Sequence, residues 1–282
     1  MGCVYNLHRD LPRRGRARFC RHHVGTRRLV QDDFQTVMGW RSADRGNTWN
    51  AVDTASLARN KTGSVYGHVL RVPGKGLVVF GHYRPPGKPP YGIWTADSTD
   101  DGRSWGPPRT VTTGGYFEPA VTFTEGRFVG LLRLKGSGRH YEQIVSDDLG
   151  RSWQVTPSEI AIAKGLPGRQ PSPFIGVSAT DPNRLYALQS IRGQLDDTQG
   201  RVYLWTAQAR KLDWKKAGKV ITIPAGAPSL GDWSYPWMTP LSPEHWFVVF
   251  YGGRGRGANS IYGMRLRPEK PVQQHHPSAR GQ

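Results

Sequence analysis

Apolar residues gather in short, dense runs that recur along the chain. Four of them are Gly76-Leu-Val-Val-Phe80, Arg127-Phe-Val-Gly-Leu-Leu132, Arg184-Leu-Tyr-Ala-Leu188 and Trp246-Phe-Val-Val-Phe250. Continuous apolar runs of this length, without polar alternation, predict strands buried on both faces. Each belongs to a repeated unit: a first strand, a turn, then the apolar second strand ending near an arginine. Those arginines are Arg84, Arg133, Arg192 and Arg254. A third strand follows, as in Ile93-Trp-Thr-Ala and Gln143-Ile-Val, and runs into a more polar octet.

The octets are three copies of one pattern, Ser-x-Asp-x-Gly-x-Thr/Ser-Trp. They read Ser42-Ala-Asp44-Arg-Gly46-Asn-Thr48-Trp49, Ser98-Thr-Asp100-Asp-Gly102-Arg-Ser104-Trp105 and Ser146-Asp-Asp148-Leu-Gly150-Arg-Ser152-Trp153. Their tryptophans lie 56 and 48 residues apart, the length of one small four-stranded sheet. A fixed period in this range predicts a propeller or a solenoid. The octet reads as a turn with a plug. The Asp accepts backbone N–H groups across the turn, the Gly takes a positive φ, and the Trp wedges between neighbouring sheets. A decayed fourth copy, Thr206-Ala-Gln-Ala-Arg-Lys-Leu-Asp-Trp214, keeps the tryptophan. The octets therefore report architecture, not chemistry.

The units add up to an incomplete blade before Trp49, three fuller blades, and a last partial one over about 230–267, ending in Ile261-Tyr-Gly-Met-Arg-Leu. The N-terminal side is short by about one blade of a closed ring, which would otherwise leave no sheet edge. Three regions follow: a basic, poorly ordered segment over 1–30, the propeller over 31–267, and a disordered tail over 268–282. Composition agrees with many short strands and tight loops, with 35 Gly, 22 Pro, 10 Trp and 11 Tyr in 282 residues. No run of 18 apolar residues predicts a membrane span, and the first 30 residues lack the apolar core of a secretory signal. The two cysteines, Cys3 and Cys20, lie outside the propeller, so it is not a disulfide scaffold. The Cys20-Arg-His22-His23 cluster has no second ligand group at finger spacing, and no metal is implied. The net charge of +18 reads either as a generally basic surface or as affinity for polyanions. Base-stacking and groove-reading motifs are absent, so no specific nucleic-acid partner is expected.

A few positions could carry chemistry. Glu118, after Tyr116-Phe117 and before Pro119, opens a first strand, and Arg133 ends the next strand of the same unit. They read as an acid–base element at the ring's central mouth, or as a surface Glu paired with an Arg. Tyr235, in Asp232-Trp-Ser-Tyr-Pro236, holds the same place in the last unit and reads as a mouth residue or as a core tyrosine between blades. Arg201 opens a strand, and Arg192 lies nearby as its alternative. Asp32 and Asp33 precede the strand that leads into the first octet.

The octets resemble the Asp-boxes of the sialidase (neuraminidase) superfamily with its BNR repeats, over roughly residues 32–267. That resemblance implies an all-β, six-bladed propeller whose first blade is incomplete or missing here. It implies an exo-sialidase-like, retaining glycoside hydrolase acting on sialic-acid or related acidic glycans. Tyr235 would be the nucleophile, Glu118 its base, Asp33 or Asp32 the acid, and Arg133 with Arg201 or Arg192 would bind the substrate carboxylate. A carboxylate on the anomeric carbon repels a carboxylate nucleophile, so a neutral phenol is the better attacker, the known exception to two-carboxylate hydrolysis. No cofactor is needed. The sequence departs from the family at Arg9-Asp10-Leu11-Pro12, where Arg-Ile-Pro is usual. It departs again at Phe250-Tyr251-Gly252, in place of Leu-Tyr-Glu, and at Pro236, where Ser is usual. The alternative is a catalytically inactive propeller that binds acidic glycans.

Overall fold

The computed structural model describes residues 2–5, 37–58, 64–83, 92–135, 138–165, 168–192, 200–223, 234–242, 245–253 and 259–267. They form antiparallel sheets in chain order. A small opening sheet joins β1 (Gly2–Tyr5), β2 (Met38–Arg41) and β3 (Asn50–Ala51), followed by a single helical turn, α1 (Ala55–Ala58). Blade I holds β4 (Ser64–Val72), β5 (Gly76–His82), β6 (Gly92–Ser98) and β7 (Arg109–Thr113). Blade II holds β8 (Tyr116–Thr124), β9 (Arg127–Leu134), β10 (His140–Ser146) and β11 (Gln154–Ala161). Blade III holds β12 (Phe174–Val177), β13 (Arg184–Ile191), β14 (Gly200–Gln208) and β15 (Lys215–Ile223). Blade IV has three strands, β16 (Ser234–Ser242), β17 (His245–Gly253) and β18 (Asn259–Leu266). Strands follow one another across every sheet, and the inner strands β4, β8, β12 and β16 touch in succession. This is a β-propeller. The expected ring of six blades is not what the described residues show: they make four blades and the opening sheet. Gly2–Tyr5, expected within a poorly ordered segment, pair with β2, while the rest of 1–30 and the tail over 268–282 lie outside the described residues.

The apolar runs explain the stacking. Along β5, Val78 and Phe80 face blade II and pack with Val121, Phe128 and Ile144. Leu77 and Val79 point the other way, onto Val37, Leu57, Trp94 and Trp105. The same division repeats between blades II and III, around Leu131, Tyr141, Leu185 and Trp205, and between III and IV, around Leu188, Leu204, Met238 and Val248. Side chains alternate across a strand, so a strand apolar at successive positions needs a neighbouring sheet on each side. At the centre, His68 of β4 lies against Trp237 of β16 at 4.3 Å and Phe174 of β12 at 5.7 Å between ring centroids. Burial pushes the His68 imidazole down to about 4, which keeps this aromatic plug uncharged.

The octets sit at the rim opposite the starts of the inner strands. In each, the Asp carboxylate closes the turn. Asp100 accepts the backbone N–H groups of Arg103 and Ser104 at 3.0 Å and the Ser104 hydroxyl at 2.6 Å. Asp148 does the same with Arg151 and Ser152, and Asp44 with Thr48. The turn needs two left-handed residues in a row: Asp101 and Gly102 have φ of 60° and 82°. Past the first octet, each wedge tryptophan packs toward the preceding sheet. Trp153 joins Phe80 and Phe128 between blades I and II, and Trp214 of the decayed copy fills the II–III interface. Trp49 belongs to the opening sheet and is 45% exposed, against 6% for Trp105.

Trp105→Ala is therefore expected to cost about 3–5 kcal/mol as a buried large-to-small change, and Trp49→Ala less than about 1 kcal/mol. Denaturant melts of the two variants check this contrast. Hydrogen bonds from Thr48 and Ser42 hold the Asp44 carboxyl down at about 2, against an ordinary 3.8. A depressed carboxylate contributes stability above its unfolded pKa and loses it as pH falls through the folded one. Acid unfolding of the native protein should therefore be steeper between about pH 4 and pH 2 than that of Asp44→Asn.

Candidate active site

Two inner strands carry the same backbone irregularity. In β8, Phe117 pairs with Arg133 and Ala120 with Leu131, so β8 has one residue more than β9 between these pairs. In β16, Ser234 pairs with Tyr251 and Trp237 with Val249, with the same extra residue. The bulges centre on Glu118 and Tyr235, whose φ angles are 48° and 46°. Both precede a proline, Pro119 and Pro236. A bulge re-aims a side chain out of the alternating pattern, and a left-handed conformation at a non-glycine residue costs of order 1–3 kcal/mol. In β4 the left-handed residue of the inner strand is Gly67, with φ of 83°.

The two re-aimed side chains meet. The Tyr235 hydroxyl donates to Glu118 Oε1 at 2.5 Å, across 117 residues of sequence. One guanidinium nitrogen of Arg133 donates to both carboxylate oxygens of Glu118, at 2.8 and 2.7 Å. Arg192, just past β13, lies over the Tyr235 ring, its guanidinium carbon 5.5 Å from the centroid, and donates to the Tyr251 hydroxyl at 3.1 Å. Tyr251 stacks on Tyr235 with centroids 5.6 Å apart and planes 27° apart. Glu118 is 7% exposed, so its charge is held mostly by protein groups. Among the described residues no group of three His, Cys, Asp or Glu side chains is placed to hold a metal, and no helix is long and apolar enough to cross a membrane.

Electrostatics assign the proton in the resting pair. Burial, and then the Glu118 charge, raise the Tyr235 phenol well above its ordinary range, against the opposing pull of Arg192 and Arg133. The phenol is thus neutral and the carboxylate accepts its hydrogen bond. Burial works against the charge on Arg133, but Glu118 more than restores it and the guanidinium is held above its usual value. The constellation is a neutral phenol hydrogen-bonded to a carboxylate, with two arginines beside the phenol. It can pass the phenol proton to Glu118 and present the phenol oxygen as a nucleophile.

The sequence-derived positions divide three ways. Tyr235, Glu118 and Arg133 come together. Of the two alternatives, Arg192 adjoins the pair, whereas Arg201 pairs with Ile191 and Thr222 at the start of β14, and among the described residues no hydrogen bond or ring contact joins it to Tyr235 or Glu118. Asp32 and Asp33 lie outside the described residues, as do Arg84 and Arg254. Arg133, expected to hold a substrate carboxylate, already holds one, that of Glu118. Tyr251 and His82 were not anticipated. The buried His82 ring lies 5.1 Å from Tyr66 and 5.4 Å from Phe117, and its Nδ1 accepts the Glu118 backbone N–H at 3.3 Å. Tyr251 pairs across from Ser234, as Arg133 does from Phe117, so the blade register was the signal that could have found it.

No protein-family model and no curated protein matches the sequence. Solved structures do. A Dyadobacter fermentans protein of unknown function aligns at TM-score 0.59 and 16% identity, over 84% of this chain and 65% of its own. Phage phi92 endosialidase aligns at 0.53 and 13%, over 79% and 39%. A Penicillium chrysogenum α-L-arabinanase aligns at 0.54 and 18%, over 80% and 72%. The chain thus spans 65% of the length of the first and 39% of the second. At these identities the likeness establishes the β-propeller fold.

Two outcomes follow from the raised phenol. Glu118→Gln removes the negative charge beside Tyr235 and should bring its titration down toward the ordinary value near 10, read by NMR of tyrosine labelled at the ring carbon that bears oxygen. An acid whose folded pKa is raised stabilises the fold below its unfolded pKa, and that stability is lost as pH climbs past it. The native protein should therefore lose stability above about pH 10, and Tyr235→Phe should flatten this limb in part. The Tyr141 phenol, raised by burial, and the Tyr116 phenol, raised by burial and then by the Glu142 charge, contribute to the same limb.

Proposed function

We propose that this protein is a retaining, exo-acting glycoside hydrolase of the sialidase type, acting on sialic-acid or related acidic glycans. The observation that carries this reading is the 2.5 Å hydrogen bond from the Tyr235 hydroxyl to Glu118, with Arg133 and Arg192 alongside. The proton partner of the buried carboxylate is a phenol, which suits a substrate whose anomeric carbon carries its own carboxylate. In the first step the Tyr235 oxygen bonds to the anomeric carbon as its proton passes to Glu118. The glycosidic bond breaks, and an acid protonates the leaving oxygen. Asp32 or Asp33 is proposed for that acid. In the second step this group, now a base, takes a proton from water, which attacks the anomeric carbon and displaces the tyrosine. Tyr235 then recovers its proton from Glu118. Two displacements return the original anomeric configuration. Arg192, which adjoins the phenol, is proposed to hold the substrate carboxylate through its planar fork of donors, with Arg201 as the second arginine proposed for it. On this reading the blades belong to a six-bladed ring of the sialidase kind.

The fold neighbours support glycan hydrolysis as the general activity, since an endosialidase and an arabinanase are among them. The alternative, a propeller that binds acidic glycans without cleaving them, draws on one observation: Arg133 and Arg192 already have protein partners, Glu118 and Tyr251.

Fluorogenic aryl glycosides decide between these readings. The native chain is expected to hydrolyse an aryl α-sialoside. Tyr235→Phe should lose turnover by about a thousandfold or more with little change in melting temperature, because the ring and its packing remain. Cleavage of an aryl α-L-arabinofuranoside but not the sialoside would overturn the acidic-substrate assignment. Binding of sialosides with no hydrolysis of either would leave the glycan-binding propeller.

A further inference from the structure

The reactive pair is assembled from strained bulges on two blades that are not adjacent, so something outside each bulge must hold it. The same device occurs at three successive interfaces. At the I–II interface, His82, at the end of β5, accepts the backbone N–H of Glu118 itself at 3.3 Å. At the II–III interface, the buried Tyr141 hydroxyl donates to the Pro171 carbonyl at 2.8 Å, just before Ser172-Pro173-Phe174. At the III–IV interface, the Ser190 hydroxyl of β13 is hydrogen-bonded to the hydroxyl of Ser234, the residue preceding Tyr235. In each case a polar group of one blade reaches the chain at or just before the next blade's inner strand, within two residues of a following proline. His82 is 3% exposed, and Ser190 and Ser234 are fully buried.

Burial gives these contacts their force. A buried donor or acceptor that loses its partner is not rescued by water, so each contact has a steep dependence on position. Packing alone tolerates small slides between sheets. A buried hydrogen bond to a bulge does not, and the Glu118 bulge needs its N–H satisfied because the extra residue leaves the strand ladder there.

We infer that His82 and Ser190 are positioning residues, which set the Tyr235–Glu118 distance by pinning the two bulges from the preceding blades. This rests on the proposed role of Tyr235 and Glu118 where it concerns turnover, but not where it concerns their hydrogen bond. His82 acts through the Glu118 backbone, and Ser190 through Ser234.

The test uses the full chain with tyrosine labelled at its oxygen-bearing ring carbon, the Tyr235 signal being assigned by its absence in Tyr235→Phe. His82→Phe keeps an aromatic ring against Tyr66 and Phe117 but removes the acceptor. His82→Asn loses the ring but puts an amide oxygen where Nδ1 stands. If His82 positions Glu118, the Tyr235 titration should move down toward the ordinary phenol value near 10 in His82→Phe and stay raised in His82→Asn. If His82 merely packs, the order reverses, and that result overturns the inference. Ser190→Ala should likewise lower the Tyr235 titration. It is the arm that decides should His82→Phe fail to fold, and an unchanged titration in it overturns the Ser190 assignment. On an aryl sialoside, His82→Phe and Ser190→Ala should each lower kcat about tenfold or more with KM within about twofold, the pattern of a lost transition-state geometry. Native protein that hydrolyses no glycoside would defeat the proposed function and leave the titration arms standing.

Discussion

Every blade depends on one constraint: its second strand is apolar at successive positions, so neither face can be left to water. Val78 and Phe80 must be covered from one side and Leu77 and Val79 from the other. A lone hairpin or a single sheet cannot satisfy both. Stacking sheet on sheet can, and the twist between neighbouring strands turns the stack about an axis. The site follows from this, because stacking brings the starts of the inner strands together around one mouth. Residues 117 positions apart meet there only because each lies at the same point of its own repeat. Trp49 shows the constraint by exception. It is the wedge tryptophan of the opening sheet and is left 45% exposed.

The fold was legible in the sequence because its signals are periodic. The apolar runs mark the second strands, the octets mark the turns, and both repeat at the spacing of one sheet. Their agreement also placed Glu118 and Tyr235 at equivalent points of two units, before any geometry was known. What the sequence concealed is nonperiodic. Nothing in Arg192-Gly-Gln or Arg201-Val-Tyr distinguishes an arginine that lies over a tyrosine ring from one that does not. That depends on where a strand ends relative to the mouth, which residue-level patterns fix only to within a few positions. His82 was hidden for another reason. Its role is to accept a backbone N–H, and the need for that arises only because β8 bulges at Glu118.

The bulges themselves are a conflict between local and global preference. Proline restricts the residue before it to extended backbone, yet Glu118 and Tyr235 are left-handed, at 48° and 46°. A glycine would adopt this conformation freely, as Gly67 does in blade I, but glycine has no side chain to present. Strain of this kind persists only where surrounding structure over-determines it. Here the surroundings are the ion pair to Arg133, the acceptor on His82, and the hydroxyl pair of Ser190 and Ser234. Such local inconsistency is what a functional site looks like in an otherwise consistent sequence.

The same surroundings decide how the pair can work. A buried carboxylate needs hydrogen-bond and charge partners from the protein. Arg133 supplies both by bonding the two oxygens of Glu118. The consequence is a phenol that faces a fixed negative charge and resists ionisation. Arg192, over the ring and held by Tyr251, opposes that resistance without removing it. A phenol in this position is not poised as a free phenolate. If Tyr235 is the nucleophile proposed above, its proton would leave in concert with bond formation at its oxygen, so that the negative charge is discharged into a new covalent bond. Glu118 is the single group within hydrogen-bonding reach able to receive it among the described residues, and under that proposal nucleophilic attack and proton transfer would be coupled along one 2.5 Å contact.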